Sequence, residues 1–248
     1  MIKYINFFYL IIIFHQLLSG TCVHVFGDSH ASFCFSNERT AIPRDENSYY
    51  NFSTHNQIIS MKFNIHWFGS KTMFSIGRDG LDTLSIKDLG VQENDVAVFV
   101  FGEIDARCHI GKQRDVLNRE LHEVIETLAK SYINAIKNNK KQFNNVYCVI
   151  VSVMPPTNNT FNASYPYHGT IEDRAMITKQ LNQKLQKLCI ENSITFLDVY
   201  SLYANHEGVL DNERSDKVVH VNPHENDLIK QKLFDDLTHT YNLFNSGM

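Results

Sequence analysis

Two kinds of apolar pattern alternate along this chain, and that alternation restricts the available folds more than any other feature of the sequence. Short β-branched or apolar runs recur at Cys22 to Phe26, Met61 to Trp67, Asp95 to Phe101, Val146 to Val153 and Ile194 to Val199, mostly bounded by turn formers. Each has the length of a buried strand. Between the third and fourth runs, within Gln113 to Lys137, residues Leu117, Leu121, Val124, Ile125, Leu128, Tyr132 and Ile136 fall at three- and four-residue steps, which predicts one long amphipathic helix. Ile171 to Cys189 repeats the pattern through Ala175, Ile177, Leu181, Leu185 and Leu188, and a terminal helix is expected from Glu225 to Tyr241. Strands that alternate with helices predict a five-stranded parallel sheet with helices on both faces, a three-layer α/β/α sandwich. In such sheets ligands bind beyond the carboxyl ends of the strands, at a topological switch point. Pro43 to Asn56 and Pro155 to Gly169 read as long surface loops.

With 43% hydrophobic and 20% charged residues, the chain has enough apolar side chains for a sizeable core. A formal charge of −4 leaves no basic field to hold a phosphate backbone, so nucleic acid is not an expected partner. Lys137, Lys140 and Lys141 cluster where a helix ends, which suits the helix dipole. Residues 1–21 differ from the rest: Lys3 precedes an apolar run from Ile5 to Leu18, interrupted mainly by Asn6, His15 and Gln16, and small residues follow. This is the pattern of a signal peptide, with an uncleaved signal anchor or a buried amino-terminal helix as alternatives. The expectation is a secreted or membrane-anchored protein, with residues 1–20 as its only membrane contact and residues 22–248 as one domain. Cys22, Cys34, Cys108, Cys148 and Cys189 lack the spacing of a disulfide scaffold or a zinc site, and glycosylation triplets at Asn51, Asn158 and Asn162 give weak support for secretion.

The chemistry-bearing residues sit where strands end. The first run leads into Gly27-Asp28-Ser29-His30, where a glycine allows a tight turn and a serine follows at the start of a helix. The alternative reading is an ordinary turn with Asp28 or Ser29 as the helix cap. A serine becomes a nucleophile only beside a base, and Ser215-Asp216-Lys217-Val218-Val219-His220-Val221-Asn222-Pro223 offers His220. Gly69 ends the second strand in Ile65-His66-Trp67-Phe68-Gly69-Ser70, and the third strand runs into Gly102-Glu103-Ile104-Asp105-Ala106-Arg107. His220, His224 and Glu225 have partial zinc-site spacing, but Pro223 stands between the histidines and the segment reads as a turn, so no metal is expected.

These blocks together resemble the SGNH/GDSL hydrolases. Gly27-Asp28-Ser29 is similar to the family's first block, Gly69 to its second and His220 to the base of its late Asp-x-x-His block. The resemblance implies a flavodoxin-like α/β fold, a Ser29 nucleophile and a His220 base, oxyanion donors on the amides of Ser29 and Gly69, and no cofactor. Two departures stand out. Asp216 precedes His220 by four residues rather than three, which leaves Asp216, Asp211 or a backbone carbonyl to orient the imidazole. Ile104 occupies the position of the asparagine in the family's Gly-x-Asn-Asp, and its side chain donates no hydrogen bond. Glu103, Asp105 and Arg107 are candidates for substrate binding, although Arg107 could instead pair with either acid. The implied function is an esterase or acyl hydrolase acting on a small-molecule or carbohydrate ester, the latter an O-acyl group of a glycan. The alternatives are a glycan O-acyltransferase and a non-catalytic glycan-binding or structural protein.

Overall fold

Every residue of strands β1 (Val23–Gly27) and β4 (Val96–Val100) is buried, the signature of strands covered on both faces. Their side chains divide by parity between two cores. Phe26, Ala97 and Phe99 join α2 (Met73–Asp79), α4 (Leu121–Lys140) and α5 (Ile171–Glu191) through Met73, Ile76, Leu128, Ile136, Ile177 and Leu185. Val23, Val25, Val98 and Val100 pack on the opposite side against α1 (Ser29–Phe35), α6 (Tyr200–Tyr203) and α7 (Asp227–Ser246), through Ala31, Phe35, Tyr203, Ile229 and Leu233. The expected three layers are present in this computed structural model, which describes residues 22–36, 49–56, 61–158 and 166–246. The signal-like segment 1–21 and the triplet at Asn162 lie outside the described residues.

The sheet has six strands in the order β2-β3-β1-β4-β5-β6, the others being β2 (Tyr50–Asn56), β3 (Met61–Trp67), β5 (Tyr147–Val151) and β6 (Thr195–Leu197). The five expected strands pair in parallel, and β2 adds an antiparallel edge against β3. The end of the expected loop Pro43 to Asn56 is therefore strand. Its sequence Tyr-Asn-Phe-Ser-Thr-His-Asn is too polar for a doubly covered strand but suits an edge, where one side faces solvent. Without β2 the order is that of a flavodoxin-like sheet, whose switch point lies between β1 and β4.

The long helix predicted over Gln113 to Lys137 is two. A π-helical turn over Asp105–His109 leads into α3 (Ile110–Val116), and α4 begins only at Leu121. Asn118 adopts φ 51°, a left-handed conformation that interrupts a helix, and Leu117, expected on the buried stripe, is 63% exposed.

Candidate active site

Gly27 ends β1 where no larger residue fits, since a Cβ there would lie 2.4 Å from the Val100 carbonyl oxygen of the neighbouring strand. The chain then turns into α1, and Asp28 caps it by accepting the His30 amide on Oδ1 at 2.8 Å. Ser29 is the first residue of the helix. It lies half-buried beyond the carboxyl end of β1, beside the switch point.

His220 arrives from a distant loop. The Ser29 hydroxyl lies 2.8 Å from its Nε2, while Nδ1 lies 2.9 Å from Asp216 Oδ2. A carboxylate on Nδ1 selects the tautomer with hydrogen on Nδ1 and a free lone pair on Nε2, so the serine hydroxyl donates to the histidine. The departure from Asp-x-x-His has a local explanation. Asp216 and His220 close a small loop in which the Asp216 amide donates to the His220 carbonyl at 2.9 Å, above an antiparallel bridge between Ser215 and Val221. Asp216 Oδ1 accepts the amides of Val218 and His220 at 2.8 and 3.0 Å. The additional residue is absorbed by Lys217 at φ 67°, with its amide donating to Ser215 Oγ at 3.0 Å. Asp216, rather than Asp211 or a carbonyl, meets the imidazole.

Burial holds the His220 imidazole below the ordinary histidine range; the Asp216 hydrogen bond pulls the other way, and the neighbouring His30 adds to the lowering. Burial would raise the Asp216 carboxyl, but the hydrogen bond and charge of His220 together with the two amides bring it below the usual carboxylate value. The ring of Phe33 lies face to face with His220, with centroids 4.0 Å apart and planes 10° from parallel. Phe33 thus restrains the ring plane, and Asp216 restrains rotation within it. The sequence pattern did not single out Phe33, whose position one helical turn after Ser29 was the available signal.

Gly69 follows β3 in the turn beyond its carboxyl end. Gly27 pairs with Trp67, and the Phe68 amide donates to the Gly27 carbonyl at 2.9 Å, so Gly69 and Ser29 each stand two residues beyond the last registered pair. Gly69 has φ 60°, a conformation that glycine adopts without strain. The block after β4 is occupied internally. Arg107 Nε donates to Glu103 Oε1 at 2.7 Å, and its Nη1 donates to the Pro166 carbonyl. Both side chains of this ion pair are about nine-tenths buried. Asp105 accepts the amides of Met73 and Phe74 at 2.7 and 3.3 Å, thereby capping α2. Burial pushes its carboxyl up to about 7 against the pull of these amides. Ile104, half-buried, brings no donor. His224 is exposed on the turn Pro223–Glu225, which Asn222 caps, whereas His220 is buried.

The sheet and its flanking helices recur in solved structures. The chain is similar to a GDSL-like lipase of Bacteroides thetaiotaomicron, with 13% identity over 89% of each chain and a TM-score of 0.55. It is also similar to an acetylxylan esterase of Geobacillus stearothermophilus, solved as a catalytic mutant, with 9% identity over 87% of this chain and 93% of that one and a TM-score of 0.51. The chain has the SGNH/GDSL-hydrolase fold. No protein-family model and no curated protein matches its sequence.

Proposed function

We propose that this protein is a serine esterase acting on O-acyl groups, with glycan esters as its substrate class. The observation that carries the reading is the hydrogen-bonded line Ser29–His220–Asp216, with distances of 2.8 and 2.9 Å. In the first step Ser29 Oγ attacks the ester carbonyl carbon while its proton passes to His220 Nε2. The amides of Ser29 and Gly69 hold the resulting oxyanion. His220 returns the proton to the departing alkoxide, leaving an acyl-Ser29 ester. Water, deprotonated by His220, then attacks that ester, and collapse of the second tetrahedral intermediate frees Ser29 and the carboxylic acid. Asp216 keeps the imidazole in the receptive tautomer and balances its charge when protonated. No cofactor enters the scheme. The glycan assignment draws on the similar fold of an acetylxylan esterase.

If a sugar hydroxyl replaces water in the second half, the same intermediate carries out acyl transfer. Ile104 supports another reading, a glycan-binding protein whose chemistry is lost, because one oxyanion donor is worth about 10²–10³ in rate. A fluorophosphonate probe separates the two acyl-enzyme readings from the binding reading. Labelling of the purified protein that disappears in Ser29→Ala is the expected result, to be followed by a screen of acetylated sugars. Folded protein that resists the probe would leave the binding reading standing.

A further inference from the structure

His30 is buried beside this site, and the reaction sequence above assigns it no task. Both of its ring nitrogens face acceptors: Nδ1 lies 3.2 Å from Asp28 Oδ1, and Nε2 lies 3.2 Å from the carbonyl oxygen of Val219. A neutral imidazole has one N–H and can satisfy only one of these oxygens. The imidazolium satisfies both. Asp28 is itself 1% exposed, and its Oδ2 has no hydrogen-bond partner among the described residues, so the carboxylate meets His30 through Oδ1 alone. The bond to Val219 ties the first turn of α1, which carries Ser29, to the loop that carries His220.

The rings of His30 and His220 have centroids 5.0 Å apart. Two positive charges at that separation oppose each other strongly inside a protein. The other charged groups around them are Asp28 on the His30 side, Asp216 on the His220 side, and Glu103, which acts on both histidines and is paired with Arg107. Each imidazole has a carboxylate at Nδ1, yet their second nitrogens differ. His30 faces a carbonyl that can only accept, whereas His220 faces a hydroxyl that can donate. The proton therefore belongs on His30. The shifts run the same way: for His30 burial is outweighed by Asp28, Glu103 and the Val219 carbonyl, which raise it, while burial and His30 lower His220.

We propose that His30 is a positioning residue for the Ser29–His220 pair: as a fixed buried imidazolium it pins the His220 loop through Val219 and reserves His220 as the neutral partner. The role rests on the esterase reading, but its test does not need turnover. The first experiment is a nitrogen-15 NMR titration of the histidines in the full chain. At pH 7, where an ordinary imidazole is mostly neutral, both ring nitrogens of His30 are expected to be protonated and Nε2 of His220 unprotonated. A His30 with a single protonated nitrogen would overturn the proposal.

The second experiment compares His30→Gln, whose amide can still donate to Val219 but carries no charge. The titration midpoint of His220 should move to higher pH. For each unit of that rise, fluorophosphonate labelling at acid pH falls about tenfold, more than any loss at alkaline pH. An unchanged His220 midpoint in folded His30→Gln would sink the charge role. If that variant does not fold, the His30 protonation state in the unsubstituted protein still decides. Wild-type protein that never labels, but in which His30 is an imidazolium and the His220 midpoint responds, would reject the esterase reading while the electrostatic coupling stands.

Discussion

At the scale of single residues, the least conventional side chain at this site is Ile104. It sits where the SGNH pattern has an asparagine, and in the proposed mechanism the two amides of Ser29 and Gly69 are left to hold the developing negative charge. Restoring a donor has a measurable consequence. Ile104→Asn is expected to raise the turnover of a short acyl ester by about tenfold or more, up to the roughly 10²–10³ that one oxyanion donor contributes. Steady-state assay of p-nitrophenyl acetate, with circular dichroism to verify folding, checks it. A folded variant with no gain would mean that residue 104 does not face the reacting carbonyl. Ser29 and His220 were legible in the sequence because their two short blocks, each common alone, are specific together. Glu103, Asp105 and Arg107 were legible only as charges near a strand end. Their tasks, an internal ion pair and a helix cap, depend on Pro166 and on the amides of Met73 and Phe74, which are remote in sequence.

At the scale of elements, the loop from Ser215 to Val221 determines whether His220 reaches Ser29. Its geometry needs Lys217 at φ 67° and the Lys217 amide free to bond Ser215 Oγ. Proline permits neither, because its φ is held near −65° and it has no N–H. Lys217→Pro is expected to open the loop, reducing fluorophosphonate labelling by at least about 100-fold while destabilising the fold by only about 1–3 kcal/mol. Labelling rates and urea midpoints measure the two effects. Comparable labelling by the variant would show that the small loop does not position the base. A four-residue spacing leaves several ways to place a carboxylate, and the left-handed residue that selects among them has no signature in a lysine. The break at Asn118 was hidden for a related reason, since the apolar periodicity continued through Leu117.

Across the whole molecule, a polar line runs through the sheet beneath the site. Tyr49 lies 2.6 Å from His66 Nδ1, His66 Nε2 lies 2.9 Å from His24 Nδ1, and His24 Nε2 faces Asp95 at 3.5 Å. One arrangement satisfies every link: Tyr49 donates to His66, His66 to His24, and His24 to Asp95, with both imidazoles neutral. Protonating His66 would bury a positive charge between neutral partners, and protonating both would set two N–H groups against each other. Burial, with His24 beside it, pushes His66 down to about 3, and burial also lowers His24. The unfolded chain, with histidines near 6.5, then binds protons that the folded chain refuses. Stability is therefore complete above about pH 6.5, falls as the pH drops, and levels off as His66 itself titrates. The His66 contribution to this loss reaches about 2 kcal/mol by pH 5. Urea midpoints between pH 4 and pH 8 should show the decline, and His66→Phe should flatten it. A wild-type midpoint that does not change with pH would remove the neutral pair.

What the sequence determined by itself was periodic and local: five doubly apolar strands, two long amphipathic helices, a serine after a strand-ending glycine and a histidine before Val-Asn-Pro. These follow from the repeat of side chains along one stretch of backbone, so they can be read without knowing what packs against what. Tertiary structure decided the rest. The polar strand β2 exists because β3 has an open edge, and Asp216 meets His220 because Lys217 turns left-handed. His30 carries a proton because Asp28 and the Val219 carbonyl converge on it from opposite ends of the chain. Charge and hydrogen bonding act through distance in space, and only the folded chain sets those distances.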